Sequence, residues 1–202
     1  MAKTTTVQIV RDRFAPLVGL TADNFIDDDA QAFLGFLNLA IDSVWMRAEW
    51  PFCMRIFQKT TDSAGLVDLS SDVSISECIR AYDTSPRIAS NSSKQYRIES
   101  VEDADQDGVL ITEAGASATV FLNCRIVTPE YTLLTDTIPL KLGAYLAYKV
   151  SADWLRQEGQ EDKANKRLAI AEGVILNEIE RLERQQNQNL PTVVETRIAG
   201  IK

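Results

Sequence analysis

Apolar side chains recur every three or four positions from Ala30 to Ala48, as Ala30, Phe33, Leu37, Ala40, Ile41, Val44 and Ala48. That spacing puts them on one face of a helix. Asp27-Asp28-Asp29 stands just ahead of the stripe, where carboxylates meet free backbone N–H groups and the positive end of the helix dipole. The expected helix covers about 27–49 and stops before Pro51. It leaves Glu49-Trp50-Pro51-Phe52-Cys53 as an aromatic corner. Phe36 and Trp45 lie off the stripe and need packing partners of their own. Upstream, Val7 to Phe14 reads as a short amphipathic opening, broken by Pro16 and Gly19.

From about residue 55 to 134 the period changes. Short β-prone runs alternate with Ser, Asp, Gly and Asn, and the expected strands are Met54–Lys59, Glu77–Tyr82, Gln95–Val101, Val109–Thr112 and Ala118–Val127. In the last, Val120, Leu122, Cys124 and Ile126 alternate with Phe121, Asn123, Arg125 and Val127, so one face is the more apolar. Ser90-Asn91-Ser92-Ser93 is a loop. Turns this closely spaced fit a small antiparallel sheet, not a βαβ unit.

Helical spacing returns at Pro139, placed for a first helical turn behind a capping Thr137. Residues 138–158 are apolar over most of their circumference, which predicts a helix buried on several sides. Gly159 is a natural stop. A second helix over 161–186 carries Ala164, Leu168, Ala171, Ile175, Ile179 and Leu182 on one stripe, with Glu, Lys, Arg and Gln elsewhere. The short link makes the two an antiparallel hairpin. After the polar run Gln185 to Asn189 comes an apolar, β-prone tail. Its residues Leu190, Val193, Val194, Ile198 and Ile201 are the candidate partner-binding positions, for example by adding a strand to a neighbouring chain; a frayed terminus is the plainer alternative.

The expected fold class is therefore α+β. An antiparallel helical bundle from 1–54 and 135–186 (helices near 27–49, 138–158 and 161–186) is interrupted by a small antiparallel β domain over 55–134. An extended C-terminal arm over 187–202 follows.

Composition narrows the chemistry. The 202 residues include no histidine, which removes the commonest general base near neutral pH and the commonest transition-metal ligand. Cys53, Cys78 and Cys124 are widely spaced and odd in number, so they read as buried free thiols, not as a disulfide framework or zinc site. A formal net charge of −8 argues against a tight nucleic-acid groove. An acidic wall instead lets DNA pass without sticking. No run of residues has the length and apolarity of a membrane span, and the first residues lack the apolar core of a signal peptide, so the expected site of synthesis is a cytoplasm.

Asp103-Ala104-Asp105-Gln106-Asp107-Gly108 has the spaced carboxylates of a calcium loop, making Asp103, Asp105 and Asp107 a candidate cation site. The twelfth position is Ala114, with Glu113 one place early, and the flanks read as strands. A β-hairpin with Asp107-Gly108 as its turn is the simpler expectation. The pairs Glu178/Glu180 and Glu161/Asp162 read as solvated helix surface, and so does the mild basic cluster Lys163, Lys166 and Arg167. Glu180 and Arg184 are placed for an i,i+4 ion pair. There is no phosphate-binding loop, dinucleotide fingerprint or nucleophile elbow, so neither a cofactor nor a catalytic role is expected.

Three segments carry a resemblance: Ala40-Ile41-Asp42-Ser43-Val44-Trp45 with Glu49-Trp50-Pro51-Phe52, then Ile138 through Ala147, then Ala164 through Leu182. Over most of 25–186 this order resembles the head–tail connector (adaptor) proteins of tailed bacteriophages, including the tail tubular protein A type. The resemblance implies a structural virion protein of the neck, assembled in the host cytoplasm. About a dozen copies would form a ring between the portal protein and the tail or nozzle proteins, with double-stranded DNA passing through its channel. A stopper-like or other tail completion ring protein is an alternative within virions. A non-viral helical interaction module is one outside them.

Overall fold

The computed structural model describes residues 5–21, 25, 27–86, 93–103, 106–138 and 142–188. In chain order the elements are β1 (Thr5–Thr6), α1 (Val7–Val18), α2 (Asp27–Trp45), β2 (Met54–Thr60), β3 (Leu66–Asp68), β4 (Ile75–Tyr82), β5 (Gln95–Tyr96), β6 (Glu99–Asp103), β7 (Gln106–Leu110), β8 (Thr119–Ile126), β9 (Thr137–Ile138), α3 (Gly143–Gln157) and α4 (Glu161–Gln188). Four helices and three antiparallel sheets among the described residues make the fold α+β. The chain divides into two compact units, Met1–Val7 with Leu37–Leu140 and Gln8–Phe36 with Lys141–Lys202.

The first unit is built on a four-stranded sheet in the order β2-β8-β4-β5 and a three-stranded sheet in the order β3-β7-β6. Their apolar faces meet in one cluster of Val67, Ala81, Val109, Ile111, Val120, Leu122 and Cys124. Along β8, Val120, Leu122 and Cys124 are buried in alternation, as the period of two predicts. The expected single strand Gln95–Val101 is two strands instead. Gln95–Tyr96 pairs with β4, whereas Glu99–Asp103 pairs with β7, so the chain changes sheets at Arg97-Ile98.

The expected turn at Asp107-Gly108 is not where the hairpin reverses. Glu102 pairs with Asp107 and Asp103 with Gln106, so Asp107 and Gly108 are already inside the β6–β7 ladder; residues 104 and 105 lie outside the described residues. Gly108 sits inside β7, paired with Val101 on one side and Asp68 on the other. A Cβ there would lie 2.6 Å from the Val67 carbonyl oxygen, so this glycine allows close backbone approach. Gly108→Ala is therefore expected to cost about 1–3 kcal/mol in urea unfolding, the range of overpacking. A loss under about 0.5 kcal/mol, typical of a solvent-facing position, would return Gly108 to a turn.

Two helix limits also differ from expectation. α2 ends at Trp45, short of 49. The Val44 carbonyl accepts from the Arg47 N–H at 3.1 Å and from the Trp50 indole N–H at 2.8 Å, so the corner's own tryptophan closes the helix ahead of Pro51. The segment expected to begin α3 at 138 is not helical at its start. Thr137 and Ile138 pair with Thr6 and Thr5 in a two-stranded sheet, so Thr137 caps nothing. α3 starts at Gly143 without a side-chain cap, and Pro139 lies outside the described residues.

In the second unit α1 runs through Pro16 to Val18. The proline falls in the last turn, where it removes the hydrogen bond to the carbonyl four residues back, and the helix ends two residues later. The helix ends at Gly19, which takes a left-handed φ of 81° while the Leu20 N–H reaches back to the Ala15 carbonyl at 2.9 Å. The α3–α4 link is the expected glycine stop. Gly159 donates to the Arg156 carbonyl at 3.0 Å and Gln160 to the Leu155 carbonyl at 2.8 Å, a Schellman pattern. Around α3 the core holds Tyr145, Leu146, Ala147, Val150, Trp154 and Leu155, joined by Ala164, Ala171 and Ile175 of α4. The Phe14 ring lies tilted against Phe33 and edge-on to Trp154, and Phe36 meets the same indole at 6.3 Å, which gives that off-stripe residue its partner.

Candidate interaction surfaces

Three polar side chains on one stripe of α2 hold the chain that leaves β8. The Asn38 amide donates to the Tyr131 carbonyl at 3.0 Å and accepts from the Tyr131 N–H at 2.9 Å. Asp42 accepts from the Thr128 hydroxyl at 2.8 Å. The Trp45 indole donates to the Ile126 carbonyl at 2.7 Å. Positions 38, 42 and 45 fall at i, i+4 and i+7, so residues 126–131 lie along two turns of the helix. Tyr131 is buried by this clamp, and that burial pushes its phenol above the usual range, with the Asp136 charge adding to it.

Apolar side chains stand beside the clamp in solvent. Leu39 is 68% exposed and Met46, two turns further on, is 54% exposed. Val127 on the clamped segment and Leu133 just beyond it are also exposed. Two ion pairs brace the neighbouring strands. Arg80 of β4 grips Glu49 with two bonds of 2.6 and 2.7 Å. Arg125 of β8 is buried and donates from Nη1 to Glu77 at 2.7 Å, close to the Met46 sulfur at 3.9 Å. The planar two-bond grip orients Glu49 more firmly than a point charge would.

In the second unit, α4 is 28 residues long, about 42 Å at a helical rise. Ala164, Ala171 and Ile175 are buried, as the stripe predicts, and Leu168, Ile179 and Leu182 are half-buried. The rest is not wholly polar, contrary to expectation. Ile170 and Leu176 are 42% and 56% exposed, with the open Gly173 between them. The Glu180–Arg184 pair forms at 3.0 Å, and Glu178 pairs with Arg181 at 2.5 Å. Exposed pairs of this kind contribute about 0.3–0.5 kcal/mol each. A shallow cavity of about 280 Å³ opens between α1 and α3, lined by Asp12, Arg13, Pro16, Leu17 and Tyr148.

Of the candidate cation residues, Asp103 and Asp107 stand on the paired strands β6 and β7, one register step apart. Asp103 ends β6, Asp107 lies within β7, and Asp105 falls outside the described residues. Among the described residues no group of three or more acidic, cysteine or histidine side chains is placed to hold a metal ion. The candidate arm residues Leu190, Val193, Val194, Ile198 and Ile201 all lie outside the described residues, and α4 takes in positions 187 and 188. Sequence reasoning missed Leu39, Met46, Ile170 and Leu176. Their signal was available: each is a large apolar residue off its helix's buried stripe.

No known protein-family model matches this chain, and no curated protein matches it. No helix among the described residues is long and apolar enough to cross a membrane.

Proposed function

We propose that this chain is a ring-forming structural subunit of a tailed-phage neck, an adaptor between the portal and the tail. The observation that carries the reading is the exposure of the large apolar side chains Leu39, Met46, Val127 and Leu133, which we group into one apolar ridge, on elements held by hydrogen bonds and ion pairs. An apolar ridge on a braced scaffold gains free energy by being covered, and a repeated contact between unlike faces closes into a ring. Ile170 and Leu176 give α4 a second face of the same character. The net charge of −8 suits a channel past which DNA slides without adhering. The finer architecture belongs to this proposal: an antiparallel bundle from 1–54 and 135–186, interrupted by the β-rich 55–134, with an arm beyond Gln188 reaching the portal or a neighbour.

The ridge is the place to test it. Leu39→Glu with Met46→Glu puts two charges where burial is proposed, at positions whose exposure keeps the folding cost within about 0.5 kcal/mol each. The double variant is expected to keep its circular dichroism and urea midpoint while its rings fall apart into monomers by analytical ultracentrifugation. Assembly indistinguishable from the parent chain would remove the ridge from the contact.

A further inference from the structure

Cys78 of β4 and Cys124 of β8 are direct partners in the antiparallel ladder. Residues directly opposite in such a ladder have Cα atoms about 4.5–5.5 Å apart, inside the range a disulfide spans. Both cysteines are free, and the Cys78 thiol donates to the Arg80 carbonyl at 3.8 Å. β4 slips register on either side of the pair, between Ile75 and Glu77 and between Cys78 and Arg80. Those irregularities leave the strand locally less tied to β8, with slack for the sulfurs to close.

The two sulfurs are not equivalent. Cys78 is half-buried and lines an open pocket of about 250 Å³ with Leu69, Asp72, Val73, Glu77 and Ser100. Cys124 lies behind it, fully buried in the apolar cluster between the sheets. The neighbouring Cys124 thiol holds the Cys78 thiol below the usual range, against the opposing pull of burial. The Cys78 thiol beside it, and then burial, push the Cys124 thiol far up. A more acidic, reachable thiol in front of a second thiol is the arrangement that divides attack from resolution.

We propose that Cys78 and Cys124 form a peroxide-reactive dithiol, with Cys78 attacking and Cys124 resolving, that closes to a cross-strand disulfide between β4 and β8. The Cys78 thiolate attacks one peroxide oxygen. The O–O bond breaks, Cys78 becomes a sulfenic acid, and the departing hydroxide takes a proton to leave as water. The Cys124 sulfur then displaces hydroxide from the Cys78 sulfur. An S–S bond forms, the S–O bond breaks, and the Cys124 proton leaves with the hydroxide as a second water. Two electrons pass from the sulfurs to the peroxide.

The folded full chain is exposed to hydrogen peroxide, denatured with an alkylating agent present, and mapped by mass spectrometry. The expected product lacks two hydrogens, joins the Cys78 and Cys124 peptides within one chain, leaves Cys53 alkylated, and reverts with dithiothreitol. In Cys124→Ala the reaction stops at a Cys78 sulfenic acid that dimedone traps; in Cys78→Ala, Cys124 stays a thiol. The proposal is overturned if both wild-type thiols remain alkylatable, if wild-type Cys78 runs on to the sulfinic acid, or if the disulfide joins two chains.

Discussion

Trp45→Ala is expected to lower the stability of the chain by about 3–5 kcal/mol, the range for removing a fully buried large aromatic side chain. Trp45 is 1% exposed, and its indole packs 5.3 Å from the Phe52 ring. It also supplies the N–H that meets the Ile126 carbonyl at 2.7 Å, so truncation adds a cavity and deprives a carbonyl of its donor. Trp45→Phe separates these contributions. It retains most of the volume and loses the hydrogen bond, for an expected cost of about 1–2 kcal/mol. Urea unfolding followed by circular dichroism reads both. A loss below about 1 kcal/mol for Trp45→Ala would mean that this indole does not anchor the end of α2.

The second large effect is expected in the other unit. Phe14 is fully buried and lies within 5.1 Å of the Phe33 ring, 5.4 Å of the Trp154 ring and 6.4 Å of the Phe25 ring. The first contact is tilted and the other two are edge-on, the geometries that aromatic pairs favour. Phe14→Ala empties the centre of that cluster and is expected to cost about 3–5 kcal/mol, with Phe14→Leu recovering more than half. Amide hydrogen exchange should show α1 and α3 losing protection in Phe14→Ala. Unchanged protection in both helices would place the cohesion of this unit elsewhere.

What could be read from the sequence follows from how local each decision is. The stripes of α2 and α4, the alternation in β8 and the stop at Gly159 depend on neighbours within a turn or a strand, and each appears as expected. Most of the misreadings involve partners distant along the chain. Thr137-Ile138 looks like a helix start until Thr5-Thr6, from the other end of the chain, pairs with it. Gly108 looks like a turn glycine until β3 arrives to pair along β7. β3 itself, three residues long, was too short for its period to be seen. The end of α2 depends on an indole folding back from Trp50. The exposed apolar positions were half legible: Leu39 and Met46 are visibly off the stripe, but the clamp that holds the segment of Val127 on α2 comes from residues far along the chain.

Native mass spectrometry of the purified chain, alone and with its cognate portal protein, bears most directly on the ring. Closed oligomers of about a dozen copies, formed alone or on the portal, are the expected species. A chain that stays monomeric across the concentration range and ignores the portal would contradict the account.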